Sequence, residues 1–141
     1  VPNVYNRGKE RIGGALNLAT GALRLLLVRT TYTFDPDADF VSELVAHEVT
    51  VAGYARQNLT GVTLVQDDAL NRAELRASQV NFPPLTAGQT IGGAVLFENT
   101  GVDSTSSLLA FYPTNPLATA GLAVTVRFSS ADPGACLHLL D

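Results

Sequence analysis

Apolar residues recur along this chain mostly at the two-residue spacing of strands and only once at helical spacing. The clearest alternation is Leu122, Val124, Val126 and Phe128 against Ala123, Thr125, Arg127 and Ser129, a strand with one buried and one wetter face. In Ala22 to Thr33, Leu23, Leu25 and Leu27 point one way and Leu26 and Val28 the other, which predicts a strand buried on both sides. With Ala15 to Leu18 before the Gly21 turn it reads as a hairpin, and the β-branched and aromatic run Thr30 to Phe34 favours an extended continuation. Further strands are expected near 48–54, 55–66, 72–82, 90–98, 107–113, 121–129 and 135–139, separated by Gly, Pro, Asn and Asp. Ile91, Val95 and Phe97 are large while Gly92, Gly93 and Ala94 are small, so another backbone or an aromatic ring should pass closely over that strand. After the turn Asp35 to Asp39, Phe40 with Leu44 and Val41 with Val45 stand at i, i+4, predicting one short helix over about 39–46. The segments 82–85 and 112–116 carry prolines and read as loops.

Together these elements predict an all-β fold, a β-sandwich or jelly-roll-like domain with one short peripheral helix and an N-terminal arm. At 141 residues the chain has the length of one domain. Residues 1–14 are assigned to the arm and 15–141 to the single β-sandwich domain. Tyr5 to Ile12 is polar, could be a short helix or an extended arm, and is stopped by Gly13-Gly14; without core periodicity of its own, it is expected to order on neighbours.

Composition sharpens this picture. Hydrophobic residues make up 46% and charged residues 16%, a balance that excludes disorder and leaves much uncharged surface suited to partner subunits. A net charge of −4 offers no basic stripe for nucleic acid. Lys9 is the only lysine; the other cations are arginines, suited to partly buried ion pairs and interfaces. No apolar run reaches the roughly 20 residues of a membrane span, and Val1-Pro2-Asn3 lacks the marks of a signal peptide, so cytoplasmic assembly is expected.

Candidate chemistry is sparse. Asp35, Asp37 and Asp39 have the i, i+2, i+4 start of a calcium loop, but Phe40 stands where its glycine should and Ala46 where its bidentate Glu should, so a solvated turn is expected. Asp67-Asp68 likewise reads as a turn. Ser42, His47 and Glu48 could be assembled as nucleophile, base and orienter, yet no nucleophile elbow frames them, and a histidine at a helix end more often meets the last carbonyls. Cys136 in an apolar terminal strand reads as an inert thiol; His47 and His138 are too few for a zinc site. Gly92-Gly93 enters a strand, so no helix N-terminus is available to hold phosphate there. Asn58-Leu59-Thr60 matches the glycosylation triplet by chance on this reading. Tyr32, Tyr54, Phe111 and Tyr112 could form a sugar platform, with core packing the favoured account. No catalytic residue, metal site or cofactor is assigned.

The order of phrases carries more. Leu16-Asn17-Leu18-Ala19-Thr20-Gly21-Ala22-Leu23-Arg24-Leu25-Leu26-Leu27-Val28 is followed by Tyr32-Thr33-Phe34-Asp35-Pro36-Asp37-Ala38-Asp39-Phe40. Then come Glu48-Val49, Gly53-Tyr54-Ala55-Arg56, Leu59-Thr60-Gly61, Asn71-Arg72-Ala73-Glu74, Val80-Asn81-Phe82, Gly93-Ala94-Val95-Leu96-Phe97 and Ser107-Leu108-Leu109-Ala110-Phe111-Tyr112. In this order, over roughly residues 12–139, the chain resembles a family of small tailed-bacteriophage virion proteins. At Arg76-Ala77-Ser78-Gln79 it is less acidic than the family pattern. The resemblance implies an all-β head decoration, minor capsid or accessory protein without catalytic residues. Its partners would be the major capsid protein or other virion proteins and further copies of itself, three in the simplest guess. Neither nucleic acid nor membrane is expected as a partner, and the protein would reside in the virion. The alternative is a tail, neck or fibre-associated component with host-surface glycan contacts.

Overall fold

The computed structural model describes residues 3–69, 72–128 and 137–138. The elements in chain order are β1 (Asn3–Val4), α1 (Asn6–Gly13), β2 (Leu23–Arg29), β3 (Gln57–Asn58), β4 (Thr63–Asp67), β5 (Arg72–Arg76), β6 (Val80–Leu85), β7 (Thr90–Glu98), β8 (Ser107–Ala118), β9 (Leu122–Val126) and β10 (Leu137–His138). Antiparallel pairing builds a five-stranded sheet in the order β1-β8-β7-β2-β3, a three-stranded sheet β10-β5-β4 and the pair β6-β9. The result is an all-β, sandwich-like domain with one short α-helix.

The two-sided pattern of β2 is realised. Leu23, Leu25 and Leu27 join Leu75, Val80, Phe82 and Leu85 from the smaller sheets in one core. Leu26 and Val28 join Val95, Phe97, Leu108 and Phe111 in a second core on the opposite face, closed by Tyr5, Ala38, Val41 and Leu44. The central sheet is thus covered on both sides, which is why its strands are apolar on both. The small residues of β7 also do what their size predicts. A Cβ on Gly93 would lie 2.5 Å from the Phe111 ring and 2.6 Å from the Tyr112 carbonyl, and one on Gly92 would meet the Thr30 backbone at 2.9 Å.

Several expectations need correction. Residues 15–18 form no strand: the Asn17 N–H donates to the Glu98 carboxylate and the Ala19 N–H to the Asn17 side chain, so local polar partners replace a ladder. Nor does β2 continue through Thr30–Phe34. The chain turns there, with Tyr32 N–H bonded to the Arg29 carbonyl, and folds Tyr32 and Phe34 onto the second core. The helix expected over 39–46 is two short 3-10 turns, Val41–Glu43 and Val45–His47, and the only α-helix among the described residues is α1. At three residues per turn Val41 and Leu44 share the buried face, while Val45 is left outside. The strand expected at 48–54 is a single bridge, Val28 to Glu48, followed by turns.

The prolines of 82–85 and 112–116 lie inside strands. In β6 they fall where the register against β9 shifts between Phe82 and Leu85. In β8, Gly93 faces Pro113 and Ile91 faces Leu117, so Pro116 occupies a bulge that needs no ladder donor. The alternation in β9 holds for Val124, Val126 and Phe128, which pack against the first core, but Leu122 is 71% exposed. Ser129 and Cys136 lie outside the described residues, as does most of the strand expected at 135–139.

The segment assigned as an arm is docked on its own domain from Asn3 to Gly13. β1 pairs with the edge of β8. Tyr5 is fully buried, 4.9 Å from Phe34 between ring centroids, with its hydroxyl 2.9 Å from that of Tyr32. Gly8 presses α1 onto the Leu109 backbone, where a Cβ would collide. One ring and one glycine, rather than a periodic pattern, anchor this segment. Leu109 is the extra residue of a β8 bulge, since Leu96 faces Ala110 and Phe97 faces Leu108.

Candidate functional site

The arginines that the sequence offered to an interface are largely engaged within the chain. Arg56, following the turn at Gly53, reaches between two loops. Its Nε and Nη2 each donate at 2.7 Å to Glu48, and its Nη1 and Nη2 donate at 2.6 and 3.0 Å to Asp103. The guanidinium also lies 5.6 Å from the centroid of the Phe97 ring. Tyr54 donates its hydroxyl to Glu48 at 2.6 Å and accepts the Leu27 N–H at 3.1 Å. Burial and then the neighbouring Glu48 charge push the Tyr54 phenol well above its ordinary range, which keeps it a neutral donor. The Arg56 hydrogen bonds hold Asp103 below its ordinary value against a smaller effect of burial. Arg11 clamps Glu98 at 2.7 and 3.0 Å; burial raises this carboxyl, but Arg11 and the Asn17 N–H outweigh it and leave it lowered. Arg76 pairs with the fully buried Glu74, Arg24 donates to the Arg56 carbonyl, and Arg29 to that of Ala46. Apart from Arg76 and Glu74, which share β5, these contacts join α1 and the loops to one another and to the central sheet.

The structure separates the residues considered for chemistry. His47 Nδ1 lies 3.1 Å from the Thr31 hydroxyl and its ring beside Tyr32, while Glu48 turns to Tyr54 and Arg56, so no relay with Ser42 is assembled. His47 meets a threonine here rather than a terminal carbonyl. Asp35 accepts the Asp37 N–H, Asp37 accepts the Asn6 amide, and Glu43 rather than Asp39 caps the first 3-10 turn by accepting the Asp39 and Phe40 N–H groups. The acidic run is a turn that also receives α1. Asp68 follows β4 in a turn. Asn58 is exposed in β3, and Leu59 between it and Thr60 is buried.

The four aromatic residues form no common platform. Phe111 and Tyr112 are consecutive in a strand and face opposite cores. Phe111 meets Tyr32 at 5.3 Å in the second core, whereas Tyr112 meets Phe128 at 5.9 Å and Tyr54 stacks on Phe82 at 6.1 Å.

What remains is a surface. From Ala77 to Phe97 and from Ser104 to Val126 the chain has no charged residue. Pairing brings these two stretches together: Leu85 faces Leu122, Thr90 faces Ala118, and the Thr119 N–H bonds the Gln89 carbonyl. Residues 113–118 and 120–123 are exposed, including Leu117 at 47% and Leu122 at 71%. Beside them a cleft of ≈ 660 Å³ opens between β8 and β9, lined by Tyr112, Leu117, Val124, Val126 and Phe128. Among the described residues Arg127 is the one charged residue in that lining. Beyond Phe111, β8 has a paired neighbour only in β7, and β9 is paired only with β6, so two strand edges flank the cleft among the described residues. Sequence reasoning missed this patch because each run is unremarkable alone; the length of the two uncharged stretches was the available signal.

No family model, curated protein or solved structure matches this chain.

Proposed function

We propose that this protein is a structural component of a bacteriophage particle, a head decoration or accessory protein that binds the assembled capsid and stabilises it through contacts between subunits. The order of phrases from residue 12 to 139 supplies the virion reading. The observation that carries the contact reading is the uncharged, partly apolar surface of 81–91 and 113–126, beside a domain whose ion pairs are largely internal. Such a surface loses little on desolvation and suits packing against protein.

The mechanism is linkage. A protein that binds the assembled shell but not its separated subunits favours the shell by mass action, and symmetric repetition multiplies a modest contact energy. The sandwich presents the surface, and the Arg56 and Arg11 clamps hold the chain at the Glu98 and Asp103 end of β7 and β8, away from it. Copies of the protein act together as a homo-oligomer in this reading, with the major capsid protein as the main partner.

The test is quantitative mass spectrometry of purified particles with heads and tails separated. Hundreds of copies in heads are expected. A few copies confined to tails or necks would move the protein to an adaptor role there, and absence from particles would overturn the virion reading.

A further inference from the structure

We propose that a second copy of this chain docks on the uncharged surface, the exposed Leu122 of one copy seating in the cleft between β8 and β9 of the other. This names the partner for the contact reading above and rests on it.

Electrostatics opposes a second copy least at this surface. Each chain carries a net charge of −4, so two copies repel through most relative orientations. The residues 81–91 and 113–126 contribute no charge to this repulsion and have no ionised group to desolvate. Arg127 at the cleft adds a positive charge facing an acidic neighbour.

The shapes are complementary within one molecule. Leu122 projects at 71% exposure from the start of β9, next to the turn that follows β8, and the cleft beside it is lined by Leu117, Tyr112, Val124 and Phe128. A projecting leucine and an apolar recess on the same surface can be satisfied together by a copy of that surface. A closed twofold or threefold arrangement repeats the contact at every copy.

The edge of β9 points the same way. Strands at sheet edges in monomers are commonly blunted by lysine, proline, inward charge or a covering segment. From Leu122 to Val126, β9 has neither charge nor proline, its residues favour extended backbone, and no described strand pairs with its outer side. A second copy seated there would supply what the edge lacks.

The experiment measures the mass of the purified full chain by sedimentation equilibrium and light scattering over a concentration series, for the wild type, Leu122→Glu and Val102→Glu. Val102 is 57% exposed in the loop joining β7 to β8 at the other end of these strands, so it controls for adding a charge to any exposed apolar site. Both positions are solvent-facing, and unchanged thermal transitions would confirm intact folds. The wild type should self-associate, Val102→Glu should match it, and Leu122→Glu should weaken association by about 100-fold, as expected for an apolar anchor replaced by a charge. A wild type that stays monomeric at millimolar protein, or equal effects of the two variants, would overturn the inference. A monomer that is nonetheless abundant in heads would remove this interface and keep the virion role; a self-associating chain absent from particles would do the reverse.

Discussion

Replacing Arg56 by alanine gives the most direct test of how this fold is held. The substitution removes both forks of the guanidinium and leaves Glu48, 8% exposed, with only the Tyr54 hydroxyl among its side-chain partners in the network. Breaking a buried ion pair from one side costs about 3–5 kcal/mol because the remaining charge is stranded. Asp103, with a side chain 41% exposed, adds at most about 1 kcal/mol because water replaces its partner. Loss of the contact over Phe97 adds about 0.5–1 kcal/mol. The Arg56 side chain is itself 20% exposed, so solvent reaches the vacated space and offsets part of this sum, leaving a net loss of about 3 kcal/mol. With a urea slope of about 2 kcal/mol per M, the unfolding midpoint should drop by about 1.5 M. Asp103→Asn should cost no more than about 1 kcal/mol. Arg56→Lys, which keeps the charge and loses the planar fork, should fall between the two. Urea unfolding of the three variants at neutral pH measures all of this. An Arg56→Ala loss below about 1 kcal/mol, equal to that of Asp103→Asn, would refute the reasoning by showing that Glu48 is adequately solvated without its cation.

Stability should also depend on pH and on the N-terminal segment. Glu98 and Asp103 titrate below their ordinary values of 4.5 and 3.8 in the folded chain, so the unfolded chain binds more protons as pH falls. The stabilisation is therefore complete above those ordinary values and is lost as pH drops through the lowered folded ones; thermal melts from neutral to strongly acidic pH should show that decline, and Glu98→Gln with Asp103→Asn should flatten it. Tyr5→Ala should cost about 3–5 kcal/mol by opening a cavity beneath the second core. Deleting residues 1–13 should lower the thermal transition further, and an unchanged transition in the truncated chain would show that this segment is dispensable to the core.

The sequence determined the fold class, because strand periodicity is local: alternation in β9, two-sided apolarity in β2 and the small residues of β7 follow from neighbours along the chain. The type of a short apolar segment was less legible. Both 40–47 and 48–54 carried the right residues for regular structure, but burial of Val41 and Leu44 three residues apart suits 3-10 turns, and the Tyr54 hydroxyl takes the Leu27 N–H that a ladder would use. Prolines marked loops by local rule and ended in strands, Pro116 excused by a bulge against β7 and Pro83 and Pro84 by the register shift against β9. Tyr5 and Gly8 gave no periodic signal, yet one filled the gap under Phe34 and the other admitted the Leu109 backbone, turning an expected arm into part of the core. The same limit applies to the candidate surface. The absence of charge in two stretches is written in the sequence; that they lie side by side, with an exposed leucine next to an apolar cleft, was decided only when β6 met β9 and β8 met β7, since proximity between distant segments is a property of the closed sheets.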